Sequence, residues 1–201
     1  MKNLLIATLF IFANASFAFV EIDSKAPNFE LTDTFGKEIS LDSFIGKKVV
    51  LEWTNHDCPF VAKHYKTTNM QSTQELAKNE EVIWLSIISS APGTQGYVTR
   101  DEANELTVSR KASPAHVLLD PTGKAGLLYS AKTTPHMYVI DEKGLLKYQG
   151  AIDDAGGRGF MFKDLLQAKN YVKNAIKELN KGQKVTNPVT KPYGCSVKYT
   201  G

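Results

Sequence analysis

The chain is poor in cysteine: Cys58 and Cys195 are the only two, so at most one internal disulfide can form. It is also poor in charge imbalance. Lys and Arg number 24 against 21 Asp and Glu, a net of +3, and the lysines are scattered rather than clustered, which argues against nucleic acid as a partner. No glycine-rich phosphate loop follows a strand-like run, so no nucleotide or other organic cofactor is called for. After the N-terminus no apolar stretch approaches the roughly 20 residues of a bilayer span. No internal repeat and no low-complexity tract is present.

What is there begins with an unusual N-terminus. Lys2 precedes an apolar run from Leu4 to Phe12, and small residues follow at Ala13, Ala15, Ser16 and Ala18. This order is that of a cleaved secretory signal, with Ser16-Phe17-Ala18 placing cleavage after Ala18 and Ala13-Asn14-Ala15 offering a second site. The expected organisation is a signal peptide over 1–18, one α/β domain over 19–182 and an extended tail over 183–201 that carries Cys195. The expected location is periplasmic or extracellular. In such a setting a pair of cysteines invites a disulfide.

Along the chain, alternation around Phe35-Gly36-Lys37 predicts a hairpin between Ala26 and Leu41. The run Val49-Val50-Leu51 within Lys48 to Trp53 predicts a buried central strand. Pro59 suits the first turn of a helix that runs to about Lys78, with a break near Thr67-Thr68-Asn69. Val82 to Ile88 and His116 to Asp120 read as strands, Arg100 to Ser109 as a helix and Thr122 to Tyr129 as a short one. Met137 to Ile140 and Leu145 to Gly150 form a second hairpin around Asp141-Glu142-Lys143-Gly144. Apolar spacing at Phe162, Leu165, Leu166, Ala168, Val172, Ile176 and Leu179 predicts an amphipathic helix from Phe160 to Lys181, ended by Gly182. The order predicts an α/β fold, a central mixed sheet covered by helices.

Several of these segments resemble one family. Ala26-Pro27-Asn28-Phe29-Glu30-Leu31, Gly36-Lys37 and Val49-Val50-Leu51-Glu52-Trp53 are similar to the opening of the alkyl hydroperoxide reductase/thiol-specific antioxidant superfamily. Thr134-Pro135-His136-Met137-Tyr138-Val139-Ile140 is similar to the thioredoxin segment whose proline is cis and faces the active cysteine. Asp57-Cys58-Pro59-Phe60-Val61 and Gly194-Cys195-Ser196 resemble a peroxiredoxin-like subgroup. The resemblance implies a thioredoxin-like fold with a hairpin extension at the N-terminus. It places Cys58 at the first, nucleophilic position of Cys-x-x-Cys, with Val61 at the second. It also departs from the peroxidase pattern: Asn55 stands three residues before Cys58 where that pattern has threonine, and no proline lies between Pro27 and Pro59.

The candidate catalytic residues are Cys58 and Cys195. A thiolate is the reactive form of cysteine, and a helix N-terminus favours it through unpaired N–H groups and the helix dipole. His56 would add positive charge beside Cys58, while Asp57 opposes ionisation. Cys195 has three readings: a resolving thiol that attacks oxidised Cys58, a structural disulfide that ties down the tail, or a free thiol that never meets Cys58. Thr134, Pro135 and His136 are candidate supports beside the thiol, with His136 alternatively an idle strand residue. Trp53, with Phe60 and Tyr65, is a candidate apolar rim or simply core. Arg158, in a glycine-rich loop, reads as a solvated side chain rather than an anion contact, and Asp153-Asp154 as a turn rather than a metal pair.

The leading expectation is an exported thiol oxidoreductase of antioxidant character. Its substrates would be protein or small-molecule thiols and disulfides, with hydroperoxides as a further class and a separate thiol reductant as partner. A copper-binding protein is the second reading, since thiolate and imidazole suit copper, although Thr54 and Ala62 stand where paired cysteines would be needed. A binding module that keeps the fold without catalysis is the third.

Overall fold

The computed structural model describes residues 20–156, 165 and 167–199. The expected signal segment and Arg158 lie outside these residues.

β1 (Glu30–Asp33) and β2 (Glu38–Ser40) form the first hairpin. Asp33 closes its turn by accepting the Phe35 and Lys37 N–H groups on Oδ1, and Gly36 takes the positive φ of +87° that the turn requires. β3 (Val49–Trp53) and β4 (Ile83–Ile88) run parallel, β4 and β5 (His116–Leu119) run parallel, and β7 (His136–Ile140) and β8 (Leu146–Gly150) complete the sheet antiparallel. The strand order is β2-β1-β5-β4-β3-β7-β8. Every residue of β3 is buried, as expected for a strand covered on both faces.

Successive side chains of a strand point to opposite faces, and this divides the interior in two. Val49, Leu51 and Trp53 of β3 join Leu85, Ile87, Tyr138 and Ile140 on one face. Val50 joins Trp84, Met137 and Val139 on the other, under Val61, Met70, Val172 and Ile176. That second face is covered by α1 (Pro59–Lys66), α2 (Asn69–Asn79) and α5 (Tyr171–Asn180). The break between α1 and α2 falls at Thr68, whose φ is +59°. α3 (Arg100–Ser109) begins with a reciprocal cap between Thr99 and Glu102, and α4 (Lys124–Leu128) is short.

Two segments differ from the sequence reading. α5 starts at Tyr171, not Phe160. The described residues between Leu165 and Asn170 are not helical, and the Asn170 side chain caps α5 by accepting the Lys173 N–H at 2.9 Å. Residues 157–164 and 166 lie outside the described set. The tail, expected to be merely extended, is pinned along its length. Thr190 N–H donates to the Gln149 carbonyl and Gln149 N–H to the Pro188 carbonyl. The Thr190 hydroxyl meets the Tyr148 hydroxyl at 2.6 Å and accepts the Ala151 N–H at 3.0 Å. Beyond it, β9 (Cys195–Ser196) pairs antiparallel with β6 (Thr133–Thr134) in the register Thr133↔Ser196 and Thr134↔Cys195. Val197 N–H then donates to the Lys132 carbonyl, and the Tyr199 hydroxyl to the Ala131 carbonyl at 2.6 Å.

Candidate active site

The loop after β3 is shaped by Asn55. Its side-chain oxygen accepts the Asp57 N–H at 2.9 Å, its amide donates to the Gln95 carbonyl at 3.3 Å, and its backbone carbonyl accepts the Cys58 N–H. Gly96 is required opposite it, because a Cβ there would lie 2.3 Å from the Asn55 side chain. The loop delivers Cys58 to the cap position of α1, with Pro59 as the first helical residue, where its missing N–H costs no bond.

Cys58 is fully buried. As a thiol it donates to the Thr134 carbonyl at 3.1 Å. Thr134 precedes Pro135 through a cis peptide bond, and β6 brings that carbonyl over the start of α1. From the tail, the Cys195 N–H points at Cys58 Sγ from 3.4 Å. Both cysteines are free thiols. Burial pushes the Cys58 pKa up, yet hydrogen bonds from the Cys195 thiol, the Val61 and Cys195 N–H groups and Thr134 outweigh it and hold the pKa below its ordinary value. Cys195 is pushed the other way, to about 12, by burial and by its contact with Cys58. The pair is therefore asymmetric: one sulfur is poised to carry charge and the other to keep its proton.

Of the residues singled out from sequence, Cys58, Cys195, Thr134 and Pro135 come together. Trp53 and His136 do not join them. Trp53 lies on the opposite face of the sheet, with its ring 5.3 Å from Tyr129 and 5.1 Å from Tyr138, and its Nε1 donates to Ser89 Oγ. His136 pairs with Trp53 across β3 and β7. Its Nδ1 accepts the Lys132 N–H at 3.2 Å, its ring packs on Tyr138, and burial lowers its pKa to about 3, so it is neutral. His56 Nε2 lies 3.2 Å from Asp57 Oδ1, so its polar edge is turned to its neighbour. Asp153 is buried and bonded to tail residue Tyr193. Among the described residues no group of three or more His, Cys, Asp or Glu side chains is placed to hold a metal ion.

Sequence reasoning missed two polar clusters beneath the site. Glu52 is fully buried in β3. Its carboxylate accepts from Trp84 Nε1 at 2.9 Å, Ser86 Oγ at 2.8 Å, the Tyr65 hydroxyl at 3.2 Å and Gln74 Nε2 at 3.5 Å. The signal was an acidic residue inside an otherwise apolar strand run. The second cluster joins His64, Asn69, Asp153 and Tyr193. Asn69 Nδ2 donates to His64 Nδ1 and to Asp153 Oδ2, both at 2.9 Å. His64 Nε2 lies 3.0 Å from the Tyr193 hydroxyl, which itself donates to Asp153 Oδ1.

A cysteine capping the first helix after a central parallel strand, facing the residue before a cis-proline, defines a thioredoxin-like protein. The sequence pattern of the AhpC/TSA family matches residues 22–149, and the chain belongs to that family. Thiol-disulfide oxidoreductase ResA of Bacillus subtilis (strain 168) is 30% identical over 135 residues, covering 62% of this chain and 75% of ResA. The crystal structure of a hypothetical protein from Sinorhizobium meliloti 1021 superposes with a TM-score of 0.78 at 21% identity, covering 92% of this chain and 97% of that one. The thioredoxin domain of a thiol-disulfide oxidoreductase from Bacteroides vulgatus superposes with a TM-score of 0.51 at 17% identity, covering 65% of this chain and 88% of that one.

Proposed function

We propose that the protein is an exported thiol-disulfide oxidoreductase in which Cys58 is the attacking thiolate and Cys195 the thiol that resolves it. The observation that carries this reading is the Cys195 N–H aimed at Cys58 Sγ from 3.4 Å, on a strand paired with Thr134. The similarity to ResA supports the disulfide chemistry. Export is supported by Lys2, the apolar run and Ser16-Phe17-Ala18.

The Cys58 thiolate attacks one sulfur of a substrate disulfide. A mixed disulfide forms and the first substrate thiolate leaves and takes a proton. Cys195 then gives up its proton and attacks Cys58 Sγ. The bond from Cys58 to substrate breaks, the second substrate thiol departs, and the Cys58–Cys195 disulfide holds the two electrons' worth of oxidation. A separate thiol reductant restores both thiols. Hydroperoxides are the less favoured oxidants, because Asn55 stands where the peroxidase pattern has threonine and no proline lies between Pro27 and Pro59.

The test is non-reducing peptide mapping after exposure of the reduced protein to oxidised glutathione. The wild type is expected to yield the Cys58–Cys195 link, and Cys195→Ser to accumulate glutathione on Cys58. Absence of both products assigns the protein to the non-catalytic binding reading instead.

A further inference from the structure

The β6–β9 ladder is only two residues long on each side, and so short a ladder holds a strand weakly on its own. Val197 and Tyr199 hold the tail on the far side of Cys195, on Lys132 and Ala131, and the near side needs a hold of its own. Two residues before it, Tyr193 enters a socket built from three elements. Its ring lies 5.9 Å from Phe60 and 6.0 Å from His64, both on α1. Gly156 makes the room, since a Cβ there would stand 2.3 Å from the ring. The hydroxyl completes a closed circuit. His64 donates from Nε2 to Tyr193, Tyr193 donates to Asp153, and Asn69 donates to both Asp153 and His64 Nδ1. His64 and Asp153 are each about 1% exposed, and buried polar groups of this kind are costly to leave unpaired. The circuit is thus complete only when Tyr193 is seated.

We infer that Tyr193 is the positioning residue of the resolving step: its phenol, latched between His64 and Asp153, sets Cys195 against Cys58 and must be seated for closure and unseated for substrate to enter. The inference rests on the resolving role proposed for Cys195. The same α1 carries Cys58 at its cap and His64 six residues on, so the latch and the attacking sulfur share one rigid element. Gly194 lies between latch and thiol with φ +138°, and a Cβ there would come within 2.0 Å of the Thr134 carbonyl oxygen. That close approach leaves the tail little freedom between Tyr193 and Cys195.

Tyr193→Phe keeps the ring in the socket and removes the oxygen that bridges His64 and Asp153. The experiment follows the reduced protein mixed with dithiobis(nitrobenzoate). The first release of thionitrobenzoate reports access to Cys58, and the second reports attack by Cys195 on the mixed disulfide. With about two hydrogen bonds lost, Tyr193→Phe is expected to speed the first release and slow the second, each by about tenfold. The Cys58 thiolate absorbance should titrate at higher pH than in the wild type, since the Cys195 donors drift away. Gly194→Ala, which displaces the strand without touching the phenol, should give the same pair of opposite changes. Amide exchange should rise over residues 194–197 and stay unchanged in β3 and β4, which separates an unlatched tail from a weakened fold. Rates and titration within twofold of wild type in Tyr193→Phe overturn the inference. A wild type that gives no second release overturns the resolving role instead, and the first release and the titration still judge the latch.

Discussion

The Cys195 N–H meets Cys58 Sγ at 3.4 Å although the two residues are 137 positions apart. The contact gives Cys58 a donor that the start of α1 does not supply. Cys58 is thus served from two directions, by its own helix through the Val61 N–H and by the tail.

The two thiols should ionise in a fixed order. Cys58 is held below its ordinary value near 9.0, and Cys195 is raised to about 12. Ultraviolet thiolate absorbance of the reduced protein should therefore show a first step below pH 9.0 that disappears in Cys58→Ser. In Cys195→Ala the step should move up in pH, because the thiol at position 195 no longer assists the charge while the backbone N–H there remains. A first step that survives in Cys58→Ser would reverse the assignment of attacker and resolver.

Glu52 is expected to be a structural keystone whose loss shows in unfolding rather than in the order of thiol ionisation. Glu52→Ala leaves Trp84, Ser86, Tyr65 and Gln74 facing an empty acceptor site. Urea unfolding should register a loss of about 3 kcal/mol or more. Glu52→Gln keeps one carbonyl oxygen for Trp84 and Ser86 and should lose less than half as much. Equal losses for the two variants would show that the acceptor atom is not what matters.

His136 should make the fold sensitive to acid. Its pKa is lowered from 6.5 to about 3 by burial, so the unfolded chain binds its proton more readily than the native state. Stability then rises with pH across that window, and the contribution present above pH 6.5 is lost as pH falls towards about 3. At about pH 5 the loss is about 2 kcal/mol. His64, also lowered by burial, adds in the same direction. Thermal melts at neutral pH and at about pH 5 should differ more in the wild type than in His136→Gln, and an equal difference would place the acid-sensitive group elsewhere.

Much of this arrangement is written locally. Val49-Val50-Leu51 and Pro59 after Cys58 each announce an element through short-range physics, and those elements form where the pattern puts them. The face of each residue is also legible by counting along a strand. Counting by two along β3 puts Trp53 with Val49 and Leu51, opposite the helix that Cys58 begins, and the same count along β7 puts His136 with Tyr138. The helix start at Tyr171 was obscured because Leu165, Leu166 and Ala168 extend the apolar spacing past the Asn170 cap. The tail was harder. Tyr193-x-Cys195-x-Val197-x-Tyr199 is an alternation, but its partners at Thr134, Lys132 and Ala131 are distant in sequence, so only the assembled sheet reveals what each alternate residue meets.

The strand laid on Thr134 is tethered to the same chain, and that changes the terms on which another polypeptide reaches Cys58. A visitor competes with a resident that is both covalently tethered and held in place by its own hydrogen bonds, so dilution never removes it. At low concentration a foreign chain therefore reacts in proportion to the fraction of time the tail is away. At saturating concentration its rate can rise no higher than the rate at which the tail lifts. On the proposed reading the ceiling on turnover is set by how often residues 183–199 lift, and because that tail carries Cys195, loosening it would trade faster entry against slower resolution.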